Sequence, residues 1–196
     1  MNSADDDRLA GADDSRLTGL TVAILATNGV EEVELVEPRR ALEQEGATVR
    51  LISLEAGEIQ AMKQDVNEAG RYAVDGVVSE VSPDDFDGLV LPGGTTNPDQ
   101  LRQDGQAVGF VRDFVTSGRP VGVICHGPWT LVEADVVRDR TLTSYPSVRT
   151  DIRNAGGTVV DQEVVVDGNL VSSRNPDDLP AFCDVLIEVF ASRRAG

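Results

Sequence analysis

Two adjacent residues, Cys125 and His126, are the pair whose types and position most directly suggest chemistry. They follow a short apolar run, VGVI, and precede a segment opened by Pro128, a pattern that predicts a tight strand-to-helix turn. A cysteine on such a turn projects from the top of a sheet, and the helix end behind it favours negative charge on sulfur. We therefore predict that Cys125 is a nucleophile. The other cysteine, Cys183, lies in a helical apolar pattern and is expected to be a core residue.

His126 is the sole histidine of the chain, so a cysteine–histidine pair must use the residue next to the nucleophile. Adjacent side chains on a turn are expected to diverge, so the imidazole need not contact the thiol in the resting state. One histidine and two cysteines are too few for most zinc or iron sites. The chain also lacks the glycine-rich motifs that bind nucleotides. We therefore expect neither a metal ion nor an organic cofactor.

Two glutamates, Glu31 and Glu34, open the first predicted helix and share one of its faces because they are three residues apart. Acidic residues favour a helix N-terminus for dipole reasons alone. A charged carboxylate beside Cys125 would raise the pKa of the thiol, whereas a protonated one could donate a hydrogen bond to a thiolate. We predict a protonated glutamate at the site.

A glycine pair, Gly93 and Gly94, follows another apolar run, GLVL, and precedes Thr95. Backbone amides at such a strand end can face an oxyanion. The glycine pair alone is a weak indication of an oxyanion site, and its predicted position near Cys125 strengthens that indication.

Apolar β-branched runs alternate with amphipathic helical patterns along the chain, which predicts an α/β fold with a mostly parallel sheet covered on both faces. Ligands gather at the carboxyl ends of strands in such sheets. A hairpin joined by Asp167 and Gly168 is expected near the end. The predicted strands span residues 20–27, 48–54, 88–91, 121–124, 141–144, 163–166 and 169–172, with small strands within 57–82, such as at 72–78; the predicted helices span 31–45, 106–117, 129–134, 147–154 and 177–191.

The 196 residues suffice for one compact domain, which we place at residues 20–194. Residues 1–19 hold five aspartates and are expected to be an acidic flexible tail. A net charge of −17 disfavours binding to nucleic acid or to an anionic membrane surface. The sequence shows neither a signal-peptide pattern nor a membrane-span pattern, so a cytoplasmic protein is expected.

The motifs together resemble the PfpI-type intracellular protease family, in the superfamily of the Parkinson-linked protein deglycase. The resemblance rests on VEEVEL at 30–35, FDGLVLPGG, PVGVICHGP, TSYP and EVVVDGNLVSSRNP, and it covers nearly all of the chain after residue 19. It implies a flavodoxin-like three-layer sandwich with a small β-hairpin addition, related to class I glutamine amidotransferases. It also implies a homodimer or homohexamer with the site near an interface.

The resemblance implies a role for each matching position. Cys125 is the nucleophile, His126 its partner, Glu34 the glutamate that bonds the cysteine, and Glu31 a second site glutamate. Oxyanion or pocket positions are Gly93, Gly94, Tyr145 and Arg174, with the amide of His126 as a further donor. In the family a glutamate after the glycine turn completes a triad with a neighbouring subunit's histidine. The matching position here is Asp99, which is one methylene shorter.

Three activities follow from this set. The first is a stress-protection enzyme whose Cys125 acts on reactive carbonyls or glycated protein, as a glyoxalase III-like enzyme or deglycase. The second is a cysteine peptidase or amidase using Cys125, His126 and Asp99. The third is a redox sensor or chaperone-like protein in which Cys125 is oxidised without turnover. The expected partner is accordingly a small carbonyl compound or a peptide.

Overall fold

The computed structural model describes residues 15–192. The strands are β1 (Thr21–Leu25), β2 (Val30–Glu31), β3 (Thr48–Ser53), β4 (Glu58–Lys63), β5 (Asn67–Ala73), β6 (Gly76–Val77), β7 (Gly88–Leu91), β8 (Val121–Ile124), β9 (Thr141–Leu142), β10 (Thr158–Val159), β11 (Val164–Asp167) and β12 (Leu170–Ser173). The helices are α1 (Glu32–Gln44), α2 (Thr96–Leu101), α3 (Gly105–Thr116), α4 (Pro128–Glu133), α5 (Arg149–Asn154) and α6 (Leu179–Ser192). Seven of the strands form the central sheet in the order β11-β12-β8-β7-β1-β3-β6, and only β11 runs antiparallel to its neighbour.

Both faces of the sheet are buried, which explains why its strands are continuously apolar. In β1, Val22 and Ile24 join the core under α1 and α6, while Ala23 and Leu25 join the core under α3, α4 and α5. The period of two along the strand therefore supplies both cores from one segment. The predicted three-layer flavodoxin-like sandwich is confirmed.

The hairpin of β11 and β12 was predicted in the right place, but its turn was placed one residue early. Asp167 pairs with Leu170, so the two-residue loop consists of Gly168 and Asn169. Asp167 is held in the ladder because its carboxylate accepts a hydrogen bond from the Thr141 amide at 2.6 Å. The predicted strand at 141–144 is also shorter, since only 141–142 pair with β10.

A second, smaller sheet of β2, β4 and β5 stands beside the first. The short strands predicted after residue 57 correspond to β4, β5 and β6, while β2 and α2 were not predicted. Both are too short, at two and six residues, to give a periodic signal. They matter because they flank the candidate active site.

The ordered domain begins before residue 20. Leu17 is fully buried and its amide donates to the Glu45 carbonyl at 2.8 Å, so residues 15–19 belong to the packed domain. The rest of the predicted acidic tail, residues 1–14, and the end of the predicted domain at residue 194 lie outside the described residues. Between residues 15 and 192, no helix is long and apolar enough to cross a membrane.

Candidate active site

The turn between β8 and α4 places Cys125 at the carboxyl edge of the sheet. Cys125 has φ of 63°, a left-handed conformation that costs a non-glycine residue about 1–3 kcal/mol. Two backbone hydrogen bonds hold it: its amide donates to the Ser173 carbonyl at 3.2 Å, and its carbonyl accepts from the Tyr145 amide at 3.0 Å. The strained turn therefore fixes where the sulfur lies.

The imidazole of His126 contacts this sulfur, contrary to our expectation that adjacent side chains diverge. Nδ1 lies 3.1 Å from Sγ of Cys125, because the left-handed backbone at Cys125 brings the two side chains to the same side. The ring of Tyr145 stacks on the imidazole with centroids 4.4 Å apart, and the Trp129 ring lies at 5.2 Å. Nε2 lies 3.0 Å from Oγ of Ser147.

Glu34 is fully buried on the other side of the sulfur. Its Oε2 accepts a hydrogen bond from the Gly93 amide at 2.7 Å. Its Oε1 has no partner with good hydrogen-bond geometry among the described residues, and the carboxyl group faces the Cys125 thiol. Burial raises the pKa of Glu34 to about 8, against the opposing effect of the Gly93 amide. At neutral pH the carboxyl group is therefore mostly protonated.

Cys125 is only 6% exposed, although the predicted turn was expected to project it from the top of the sheet. Burial raises the pKa of the thiol, and a charged Glu34 raises it further. The backbone amides of Gly94 and His126 act in the opposite direction, since both lie within hydrogen-bonding reach of the sulfur. Ionisation of the buried thiol therefore requires a route for its proton.

The two glycines after β7 have different roles. The Gly93 amide is used by Glu34 and is not free for an oxyanion, which corrects the role expected for it. A side chain at Gly93 would place Cβ 2.7 Å from Oε2 of Glu34 and 2.8 Å from Cβ of Cys125. Glycine is therefore required for close approach. Gly94, with φ of 76°, turns its amide toward the sulfur.

Glu31 does not face the thiol, although it was expected at the site beside Glu34. It lies in β2, before the helix, and its carboxylate accepts hydrogen bonds from the amides of Gln64 and Asp65 at 3.1 and 3.4 Å. Asp65 in turn accepts from the amide and hydroxyl of Thr95 at 2.7 and 3.1 Å. Glu31 and Asp65 therefore link the β4–β5 turn to the glycine turn after β7.

Two other expected site residues are engaged elsewhere. The Arg174 guanidinium pairs with Asp178 at 2.8 Å and with Asp161 at 3.1 Å, and both partners raise its pKa. Asp99 is exposed on α2, and its side chain accepts a hydrogen bond from Gln103 at 3.3 Å. Neither contacts His126 within the chain. Tyr145 does border the site, 39% exposed and stacked on the imidazole.

Sequence reasoning missed several residues of the site. Asn97 is fully buried, and its amide group donates to the carbonyls of Pro92 and Gly93 at 3.0 Å each. Its Oδ1 accepts from the Thr27 amide at 2.8 Å, so it joins the loops after β1 and β7. Ser147 and Trp129 could have been noticed as neighbours of TSYP and CHGP. Asp65 carries no sequence signal.

Within residues 15–192, no group of three or more histidine, cysteine and acidic side chains is arranged to hold a metal ion. The candidate site itself presents a thiol in contact with an imidazole, a buried neutral carboxyl group, and two backbone amides close to the sulfur.

Comparisons with known proteins agree with this arrangement. A family model described as the DJ-1/PfpI family matches residues 20–189. Protein/nucleic acid deglycase 2 of Escherichia coli is 46% identical over 162 residues, covering 82% of this chain and 92% of that protein. A Bacillus subtilis relative, YraA, whose name describes it provisionally as a cysteine protease, is 41% identical over 161 residues, covering 82% and 92%.

Among solved structures, Drosophila melanogaster DJ-1beta matches with a TM-score of 0.79 and 28% identity, covering 88% of this chain and 90% of that one. The fold and site define an α/β sandwich protein with a cysteine on a strand-to-helix turn. The chain belongs to the DJ-1/PfpI family.

Proposed function

We propose that this protein is a cysteine-dependent enzyme that acts on reactive carbonyl compounds or on their adducts with protein. The observation that carries the proposal is the environment of one sulfur atom. Cys125 contacts the imidazole of His126 and neighbours the neutral carboxyl group of Glu34, and the amides of Gly94 and His126 lower the pKa of its thiol. Relatives named deglycase support the same assignment.

The first step is attack of the Cys125 sulfur on an aldehyde carbon. A carbon–sulfur bond forms, the carbonyl electron pair moves to oxygen, and the oxyanion takes a proton to give a hemithioacetal. The amides of Gly94 and His126 are the available donors for that oxygen. The thiol loses its proton in this step, and Glu34 or His126 shuttles protons between the reacting atoms.

With methylglyoxal, the hemithioacetal can rearrange without an oxidant. The proton on the former aldehyde carbon moves to the neighbouring carbon, which converts the ketone to an alcohol and leaves a thioester on Cys125. Water then cleaves the thioester to lactate and the free thiol. The sum is methylglyoxal plus water giving lactate, as in the glyoxalase III-like reaction. With a hemiaminal or hemithioacetal adduct on protein, a carbon–sulfur bond to Cys125 forms as the carbon–nitrogen or carbon–sulfur bond to the protein breaks, and the amine or thiol leaves with the proton from Cys125.

Two kinds of substrate distinguish the glyoxalase reaction from the deglycase reaction. They are free methylglyoxal and the methylglyoxal adducts of N-acetylated arginine, lysine and cysteine. Lactate should form from both sources in wild-type protein and from neither in Cys125→Ser. Lactate from free methylglyoxal alone would assign a glyoxalase, and faster lactate formation from adducts than their spontaneous breakdown allows would assign a deglycase. Equal rates in wild-type and variant proteins would contradict the proposal.

The peptidase alternative needs an orienting group for His126. Within the chain that position is taken by Ser147 and not by Asp99. A triad would therefore need Asp99 from a neighbouring subunit, and the dimer or hexamer remains a prediction. We also propose that the protein is cytoplasmic. Its two cysteines are unpaired, one of them is the proposed nucleophile, and both suit a reducing compartment.

A further inference from the structure

We propose that Ser147 provides the exit for the thiol proton, through His126, and thereby sets the tautomer of the imidazole during ionisation of Cys125. Ser147 lies in a single helical turn, Pro146–Val148, just before α5. The inference deepens the proposed function, because it concerns the same sulfur. It rests on a chain of two contacts: 3.1 Å from Sγ to Nδ1, and 3.0 Å from Nε2 to the serine Oγ.

The chain leads from a buried atom to the surface. Cys125 and His126 are 6% and 5% exposed, whereas Ser147 is exposed on the surface of the single chain. The other proton-carrying neighbour of the sulfur, Glu34, is fully buried and bonded to the Gly93 amide. Glu34 can exchange a proton with the sulfur but has no contact through which to pass it to water. The described residues therefore offer one hydrogen-bonded route outward.

A hydroxyl group suits this position because it both donates and accepts. With the thiol protonated, S–H donates to Nδ1 and Nε2–H donates to Oγ of Ser147. On ionisation the thiol proton moves to Nδ1, the Nε2 proton moves to Oγ, and the hydroxyl releases its former proton to water. Nδ1–H then donates to the thiolate and the hydroxyl donates to Nε2. One proton leaves, and the imidazole is neutral before and after.

This route agrees with the surroundings of the imidazole. Burial lowers the pKa of His126, which disfavours a stable imidazolium, while the charge of Asp65 opposes that effect. Tyr145 stacks on the ring at 4.4 Å and Glu34 stands beyond the sulfur. A tautomer exchange avoids the charged ring, so the thiol can ionise without an ion pair in a buried site.

The test is the rate of Cys125 alkylation by iodoacetamide between pH 5.5 and 10 in wild-type, Ser147→Ala and Ser147→Thr proteins. Peptide mapping separates Cys125 from Cys183, whose pKa is raised to about 12 by burial. We expect Ser147→Ala to react about tenfold or more slowly at pH 7, with its pH profile moved to higher pH. Ser147→Thr keeps a hydroxyl and should restore the wild-type rate and profile.

The tautomer is measured directly, since the chain has one histidine and its side-chain ¹⁵N resonances need no assignment. Nε2–H should predominate below the thiol pKa in wild-type protein, and its share should fall in Ser147→Ala. Identical profiles for all three proteins, or a threonine variant as slow as the alanine one, would overturn the proposal. Alkylation needs no turnover, so a failure of the carbonyl chemistry would appear in lactate formation with these rates unchanged.

Discussion

Sγ of Cys125 lies 3.1 Å from Nδ1 of His126, although the two residues are neighbours in the chain. The positive φ of Cys125 makes this contact possible, since an extended backbone would direct consecutive side chains to opposite sides. A thiol and an imidazole in contact thus come from a single turn, and under the proposed function the strain in that turn brings the nucleophile and its base together.

The neutral state of Glu34 gives a pH dependence of stability. The folded protein holds a proton on Glu34 up to a pKa of about 8, whereas an unfolded glutamate releases it near 4.5. The folded state therefore binds more protons between these values, and this residue's contribution to the free energy of unfolding falls as pH rises through them. Glu34→Gln lacks the titration, so it should gain stability relative to wild type between pH 5 and pH 8.

Denaturant unfolding of both proteins at pH 5, 6.5 and 8 measures the difference. We compare the free energy of unfolding of the glutamine variant with that of wild type at each pH. This difference should favour the variant by about 1–3 kcal/mol more at pH 8 than at pH 5. Turnover of the variant should fall at the same time, because an amide cannot exchange a proton with the sulfur. A difference in stability that stays constant across pH would contradict a buried neutral carboxyl group.

Gly93→Ala tests the close packing around the sulfur. The added methyl carbon would lie within 3 Å of Oε2 of Glu34, Cβ of Cys125 and the amide nitrogen of His126. The glutamate oxygen and the amide both belong to the candidate site. We expect a loss of about 1–3 kcal/mol of stability and a large loss of activity. Gly109→Ala in α3 is the matched control, since a Cβ there meets no atom within 4 Å and alanine favours the helix. Equal behaviour of the two variants would show that Gly93 is not constrained.

Asp99→Ala separates the carbonyl enzyme from the peptidase. The side chain is exposed and bonded only to Gln103, just after α2, so the alanine variant should keep carbonyl turnover within about twofold and stability within about 0.5 kcal/mol. Any peptidase activity that relies on a triad across subunits should be lost, and Asp99→Glu should preserve it. Loss of carbonyl turnover in the alanine variant would place Asp99 in the machinery that we assign to Glu34 and His126.

Peroxide treatment tests the redox-sensor alternative. The amides of Gly94 and His126 can stabilise an oxidised sulfur at Cys125, whereas burial is the main influence on Cys183. Under the sensor alternative, oxygen should add to Cys125 before Cys183, as followed by intact mass and peptide mapping. Absence of oxygen addition at Cys125 would eliminate that alternative and leave the enzyme.

The sequence predicted the layers of the fold because each buried strand carries its own signal. Runs such as VGVI and GLVL are apolar at every position, and both form fully buried strands. The short elements could not be predicted this way. The two residues of β2 and the six of α2 are held by contacts from distant segments, such as the hydrogen bonds that Asn97 makes to three loop positions.

The position of the proposed nucleophile could also be predicted, because the sequence pattern of a buried strand followed by a proline-opened helix places Cys125 on the turn between them. Glu34 and His126 could be named as its partners, but the surroundings of Glu31 and Ser147 could not be predicted. Whether the Glu31 carboxylate meets the sulfur or the turn after β4 depends on a distant hairpin, and sequence spacing cannot distinguish the two. The same holds for Ser147, which reaches His126 across 21 residues of chain.

The measurement that tests the account most directly is lactate formation from methylglyoxal by purified wild-type protein beside Cys125→Ser and Cys183→Ser. The account predicts turnover in the wild type and in Cys183→Ser, and none above the uncatalysed rate in Cys125→Ser. Turnover that survives in Cys125→Ser, or its absence from wild-type protein whose Cys125 is shown to be reduced, would contradict the assignment of a carbonyl enzyme to this site.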